Sequence, residues 1–153
     1  MAYVGGERTH EGCVLCAIGS GDDDANRVVE QAELTFTVLN LFPYSSGHVM
    51  VVPRRHVADL VDLEPAEAAA VVEGAQRAAR ALREALHPDG LNVGANLGTA
   101  AGAGIADHFH LHVVPRWSGD TNFMPVLADV KVIPEHMDQT AAKLRDAYAQ
   151  LTQ

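Results

Sequence analysis

Residues 108–115 read His108-Phe109-His110-Leu111-His112-Val113-Val114-Pro115, three histidines at every second position with large apolar residues between them. Period-2 alternation is the signature of a half-buried strand, which sends Phe109, Leu111 and Val113 to one face and the three imidazoles to the other. At about 3.3 Å per residue, neighbouring histidines stand ~6.6 Å apart along the backbone and the outer pair ~13 Å. Two such rings could converge on one ion, but three in a line do not readily do so. The spacing therefore points to imidazoles with separate duties, and histidine serves as nucleophile, acid, base or ligand near neutral pH. A purely structural row of histidines fits less well, because three in register opposite a packed face rarely arise by accident.

Size and charge bound the rest. A chain of 153 residues, 48% hydrophobic and 20% charged, suits one globular domain with a sizeable core. The formal net charge of −9 argues against a nucleic-acid-binding role, which wants a basic face. An anionic substrate would have to be drawn by local donors and not by the overall field. No apolar run is long enough to span a bilayer. The start Met1-Ala2-Tyr3-Val4-Gly5-Gly6-Glu7 lacks the basic and apolar regions of a signal peptide, so a cytoplasmic protein without membrane partners is expected.

Along the chain, residues 1–11 read as a flexible lead-in and residues 12–153 as a single domain. Gly19-Ser20-Gly21-Asp22-Asp23-Asp24 reads as a polar turn or loop. Strands are expected near Leu34–Asn40 and His48–Pro53, the second buried on both faces around Met50–Val52, and near Leu91–Asn96. A long helix opens at Glu64-Pro65, carries a buried stripe of Val71, Ala75, Ala78, Leu82 and Leu86, and stops at Pro88-Asp89-Gly90. Met137, Ala141, Leu144, Tyr148 and Leu151 mark a second amphipathic helix. Short connections among several strands imply an α+β fold around a mainly antiparallel sheet.

Two further segments carry chemistry. Cys13 and Cys16, the chain's only cysteines, form a C-x-x-C pair that allows three readings: half of a zinc site, two inert buried thiols, or a redox pair. The redox reading stands last, since no strand pattern precedes the pair, and eight histidines are at hand to complete a zinc site. Gly98-Thr99-Ala100-Ala101-Gly102-Ala103-Gly104 lacks the signature of a P-loop and enters a strand instead of a helix. Such a run is commonly a plain flexible loop. Its place against the histidine row favours backbone N–H groups turned toward a phosphate.

At this point the chain resembles a known family. His108 to Val114 match the H-φ-H-φ-H-φ-φ pattern of the histidine-triad (HIT) nucleotidyl hydrolases and transferases. Cys13-Val14-Leu15-Cys16 is similar to the family's N-terminal C-x-x-C, and Leu39-Asn40, Pro43 and Gly47-His48-Val49-Met50-Val51-Val52-Pro53-Arg54-Arg55-His56 resemble its G-H-φ-φ-φ-x-P-x-x-H block. Pro115-Arg116-Trp117-Ser118-Gly119-Asp120-Thr121-Asn122-Phe123 resembles the bacterial diadenosine tetraphosphate phosphorylase branch.

The resemblance implies a HIT-like fold: a mainly antiparallel five-stranded sheet, one long central helix and a C-terminal helix. It implies that His110 is the nucleophile, forming a nucleotidyl-imidazole intermediate with its other ring nitrogen donating to a backbone carbonyl. His112 would assist at the phosphoryl oxygens or leaving group, with His48 behind it. Asn40, Leu41 and Phe42 would form the nucleoside pocket, while Asn96, the Gly102, Ala103 and Gly104 backbone, and Arg116 would hold phosphates. A structural zinc would lie between Cys13, Cys16, His56 and His108. The implied partners are adenine nucleotides or dinucleoside polyphosphates and inorganic phosphate, in a homodimer formed by joined sheets. One departure stands out: Gly104 occupies the position of a phosphate-binding glutamine, leaving that contact to backbone N–H groups or Thr99. The activity implied is phosphorolysis of diadenosine tetraphosphate to ATP and ADP. Its alternatives are hydrolysis of dinucleoside polyphosphates or nucleoside phosphoramidates, and nucleotide binding without turnover.

Overall fold

In the computed structural model, residues 11–121 and 135–152 are described. Apart from Glu11, the expected lead-in lies outside them, as do Asn122, Phe123 and the terminal Gln153. The elements are helices α1 (Val14–Ser20) and α2 (Asp23–Asn26), strands β1 (Val28–Gln31), β2 (Thr35–Leu39) and β3 (Val49–Pro53), helix α3 (Pro65–Leu86), strands β4 (Gly90–Gly94) and β5 (Leu111–Arg116), and helix α4 (Met137–Leu151). The strands form one five-stranded sheet in the order β1-β2-β3-β5-β4, with every neighbouring pair antiparallel.

β3 is central, and all five of its residues are buried. Val49 and Val51 face α3 and α4 in a core shared with Ala78, Leu82, Val113 and Leu144. Met50 and Val52 face the other way, into a second core with Cys13, Leu15, Cys16 and Phe36. Helices therefore cover both faces of the middle of the sheet, which is why β3 reads as a continuous apolar run.

α3 starts where the sequence signals it. Pro65 occupies the first turn, and the Glu64 N–H donates to Glu67 Oε2 at 2.8 Å. Glu67 is buried and takes two hydrogen bonds from Arg55, of 2.9 and 2.7 Å, so its charge is compensated. The helix ends at Leu86, where His87 adopts left-handed φ and ψ of 49° and 50°. Gly74 packs α3 directly against the sheet: a Cβ there would stand 2.7 Å from Val51 Cγ1.

Three local features depart from the sequence expectation. The stretch Gly19–Asp24 is mostly helical, with α1 running to Ser20 and α2 opening at Asp23 under an Asp22 side-chain cap. β1 is a strand that period-2 reading of Val28-Val29-Glu30-Gln31 does not signal, and its ladder with β2 carries an irregularity between Val28 and Glu30. The triad strand begins at Leu111, not His108. His108–His110 precede the ladder, and the Phe109 N–H bonds Val57 O at 2.6 Å. The alternation nonetheless holds across both parts: Phe109 packs with Val57 and Val71, Val113 packs under α3, and the histidines face away.

Candidate active site

Hydrogen bonds to groups of fixed polarity determine the tautomers of the histidines. His110 Nδ1 lies 2.8 Å from the backbone carbonyl of His108, which only accepts, so Nδ1 carries the proton and Nε2 the free pair. His110 is buried and lines a cavity of about 500 Å³. Next to it, the Tyr44 N–H donates to His48 Nδ1 at 3.1 Å. Neutral His48 therefore holds its proton on Nε2 and donates it to His112 Nδ1 at 2.8 Å. His112 in turn carries its hydrogen on Nε2. One imidazole thus offers a lone pair and its neighbour offers a donor, with ring centroids 4.8 Å apart.

Neutrality follows from the surroundings. Burial first, then the nearby His112 and His110, push the pKa of His48 down to about 3. Burial and His110 push His112 down to about 4. Both rings are uncharged at neutral pH, as the tautomer chain requires.

The cavity at His110 is walled by Val14, Leu15 and Ile18 of α1, with Leu39, Met50 and Ile105 beyond. Asn40, Leu41, Phe42, Asn96, Gly102 and Gly104 also border it, so most of the expected nucleotide residues come together here. Asn40 Oδ1 accepts from the Phe42 N–H at 3.0 Å, which shapes the turn that presents Leu41 and the 77% exposed Phe42. In the glycine-rich loop, the Gly102 N–H bonds Thr99 O at 3.0 Å and the Ala103 N–H bonds Gly98 O at 3.3 Å. Those two donors are spent inside the turn; the Gly104 N–H has no partner among the described residues. A Cβ at Gly104 would meet nothing within 4 Å, so the missing glutamine leaves open space. Thr99 lines neither this cavity nor its neighbour.

Arg116 lies apart from His110. Its guanidinium grips Asp120 through two bonds of 2.7 and 2.8 Å and reaches Asn92 Oδ1 at 2.9 Å. Its charge is therefore locally neutralised. Tyr44 has no role in the sequence reading, yet its N–H sets the His48 tautomer and its ring stacks on His48 at 5.0 Å. An aromatic residue in a tight turn four positions before a histidine was the available signal. The walls from α1 gave none, because they depend on where the C-x-x-C segment docks.

That docking is set by a second cluster. Cys13, Cys16, His56 and His108 offer ligand atoms all within 4.8 Å of one another. Cys13 Sγ lies 3.3 Å and Cys16 Sγ 3.5 Å from His108 Nδ1, and Cys16 Sγ lies 3.5 Å from His56 Nδ1. Zinc bonds to thiolate and imidazole require ligand atoms about 3–4 Å apart. His108 Nε2 donates to Pro53 O at 2.9 Å, which leaves Nδ1 unprotonated and turned toward the sulfurs. An outer hydrogen bond of this kind orients a metal-binding histidine. The donor set fits a closed Cys₂His₂ metal centre.

Comparison with known proteins agrees with this geometry. The model of the HIT domain matches residues 22–119. The chain is 45% identical over 127 residues to an AP-4-A phosphorylase of Mycobacterium tuberculosis, covering 83% of this chain and 65% of that protein. It thus spans just under two thirds of that relative's length. An uncharacterised HIT-like protein of the same organism is 36% identical over 138 residues, covering 90% of this chain and 94% of the other. The crystal structure of a zinc-bound histidine triad family protein from Mycobacterium smegmatis superposes with a TM-score of 0.77 at 38% identity, covering 92% of this chain and 96% of that one.

Proposed function

The chain belongs to the HIT domain family, and from that premise we propose that it is a nucleotidyl transferase that phosphorolyses diadenosine tetraphosphate to ATP and ADP. The observation that carries the reading is the His110 tautomer, which presents Nε2 as a nucleophile inside a nucleoside-sized cavity. His110 Nε2 attacks the α-phosphorus, a P–N bond forms, and the bridging P–O bond breaks with its electron pair leaving on ATP. His112 Nε2–H hydrogen-bonds the departing oxygen, and His48 holds that hydrogen in place. An oxygen of inorganic phosphate then attacks the phosphoramidate, releasing ADP and restoring His110.

The adenosine lies between α1 and the 40–42 turn, with Asn96 and the Gly104 N–H at the phosphates. The space beside Gly104 gives inorganic phosphate room to enter. Arg116, neutralised by Asp120, acts through structure more than through charge. Zinc held by Cys13, Cys16, His56 and His108 supplies a structural staple for α1, and the chemistry runs on the chain's own imidazoles. Thiols kept reduced for that purpose suit the cytoplasm. Among the described residues, no helix is long and apolar enough to cross a membrane. β4 is an edge strand and carries the exposed Val93, so a homodimer joined along this edge is the expected assembly.

The test is product analysis with and without millimolar phosphate. ADP formed only when phosphate is present supports the phosphorylase. AMP with ATP at a phosphate-independent rate makes the protein a hydrolase. Absence of any base-stable labelled intermediate or product makes it a binding protein.

A further inference from the structure

A second cavity of about 530 Å³ opens on the far side of His112 from His110. Tyr44, Asn96 and His112 line both cavities and form the ridge between them; His110 borders only the first. The second cavity is built on the sheet itself. Along β5, period-2 alternation puts His112, Val114 and Arg116 on one face. Opposite them in register on β4 stand Gly94, Asn92 and Gly90. A Cβ at either glycine would meet nothing within 4 Å, so two missing side chains leave space directly beside His112 and Arg116.

The lining tells what fits there. A free cation would mark a polyphosphate site, but among the described residues the only cationic side chain bordering this cavity, Arg116, is bound at two points by Asp120. What remains is near-neutral and polar: Asn92 accepts from Arg116 and Asn96 donates to Gly102 O, which leaves the Asn92 Nδ2 amide to donate and Asn96 Oδ1 to accept, and the 74% exposed Tyr44 ring offers a flat apolar surface. Those are the needs of a ribose and a base. The placement also suits the chemistry: attack from His110 expels the leaving group away from its own cavity, past the His112 donor.

We infer that this second cavity seats the nucleoside of the departing nucleotide, so that the protein grips both ends of a dinucleoside polyphosphate across the His112 ridge. The inference rests on the dinucleotide reading above and adds the site that distinguishes a dinucleotide from a mononucleotide with the same phosphate chain.

Binding of a diadenosine tetraphosphate analogue with both α,β bridges replaced by methylene, and of α,β-methylene adenosine tetraphosphate, tests it without turnover. The wild-type protein is expected to bind the dinucleotide analogue about tenfold more tightly, since only that ligand reaches the second cavity. Gly94→Phe fills the space beside His112 from an exposed strand position whose φ is not left-handed, and it is expected to collapse the ratio toward one. Equal affinities in the wild-type protein overturn the second site alone, and so does a preference that survives Gly94→Phe when the variant retains the wild-type melting temperature. Should Gly94→Phe fold poorly, Asn92→Ala, which removes a polar group of the same floor, is expected to lower the ratio, and an unchanged ratio again overturns the site. Failure of the dinucleotide analogue to bind at all overturns the dinucleotide reading, and the second site with it.

Discussion

The Nδ1–H of His110 donates to the backbone carbonyl of His108 at 2.8 Å, while the ring of that same His108 turns its Nδ1 toward Cys13 and Cys16. One residue thus joins the proposed nucleophile to the cysteine–histidine cluster. Its main chain fixes the tautomer and its side chain anchors the N-terminal segment.

Removing the imidazole of His110 deletes the attacking pair and little else. His110→Ala is therefore expected to abolish turnover while retaining nucleotide binding and melting temperature. His112→Ala removes a donor and leaves the nucleophile, so its rate should fall by about 10²–10⁴-fold and stay measurable. Single-turnover kinetics on both variants checks the assignment, and equal, mild losses would overturn it.

The cysteine–histidine cluster predicts a stability effect that reaches the cavity at His110. Untagged protein is expected to carry close to one zinc per chain by direct metal analysis. Cys13→Ser should lower zinc content and melting temperature together. Because Val14, Leu15 and Ile18 wall the cavity proposed to hold the nucleoside, AMP affinity should fall as well. Metal-free protein with an unchanged melting temperature would make Cys13 and Cys16 inert core thiols.

Much of this arrangement was legible in the sequence because it is local. Alternation over 108–115 separates the histidines from Phe109, Leu111 and Val113, and a proline at the first turn with a regular apolar stripe defines α3. The C-x-x-C pair is ambiguous by itself; the family resemblance alone names His56 and His108 as its partners, and the fold brings these four together from distant parts of the chain. α1 and α2 hid behind glycines and aspartates that usually mark loops, and β1 is too short to show a period. Nothing in the sequence shows that the Gly102 and Ala103 N–H groups would be consumed by their own turn, or that Arg116 would be captured by Asp120. Those outcomes depend on three-dimensional competition for partners.

Acid should weaken the fold through the same pair of rings that serve the site. In the unfolded chain His48 and His112 titrate near 6.5, whereas in the fold they titrate near about 3 and about 4. Between these values the unfolded chain binds more protons, so stability rises with pH there. The contribution is complete above pH 6.5 and is lost as pH falls through the two lower values. Urea denaturation across this range is expected to show the midpoint dropping toward acid, and His48→Asn should make that slope shallower. A slope identical to wild type would mean that His48 is not held neutral by the fold.

Gly74 gives the last prediction, because two effects of known size oppose each other there. In an exposed helix, Gly→Ala stabilises by about 1 kcal/mol through backbone entropy. At Gly74 the new Cβ would stand 2.7 Å from Val51 Cγ1, on a β-branched side chain that is fully buried in the central strand. Val51 has no open space to rotate into, so α3 must lift from the sheet. Overpacking of this kind costs about 1–3 kcal/mol, which equals or exceeds the propensity gain. Gly74→Ala is therefore expected to lower the melting temperature, and in a double-mutant cycle it should cost less in a Val51→Ala background, where the clashing methyl groups are gone, than in the wild-type chain. A more stable Gly74→Ala protein would show that the helix–sheet gap yields more easily than this packing implies.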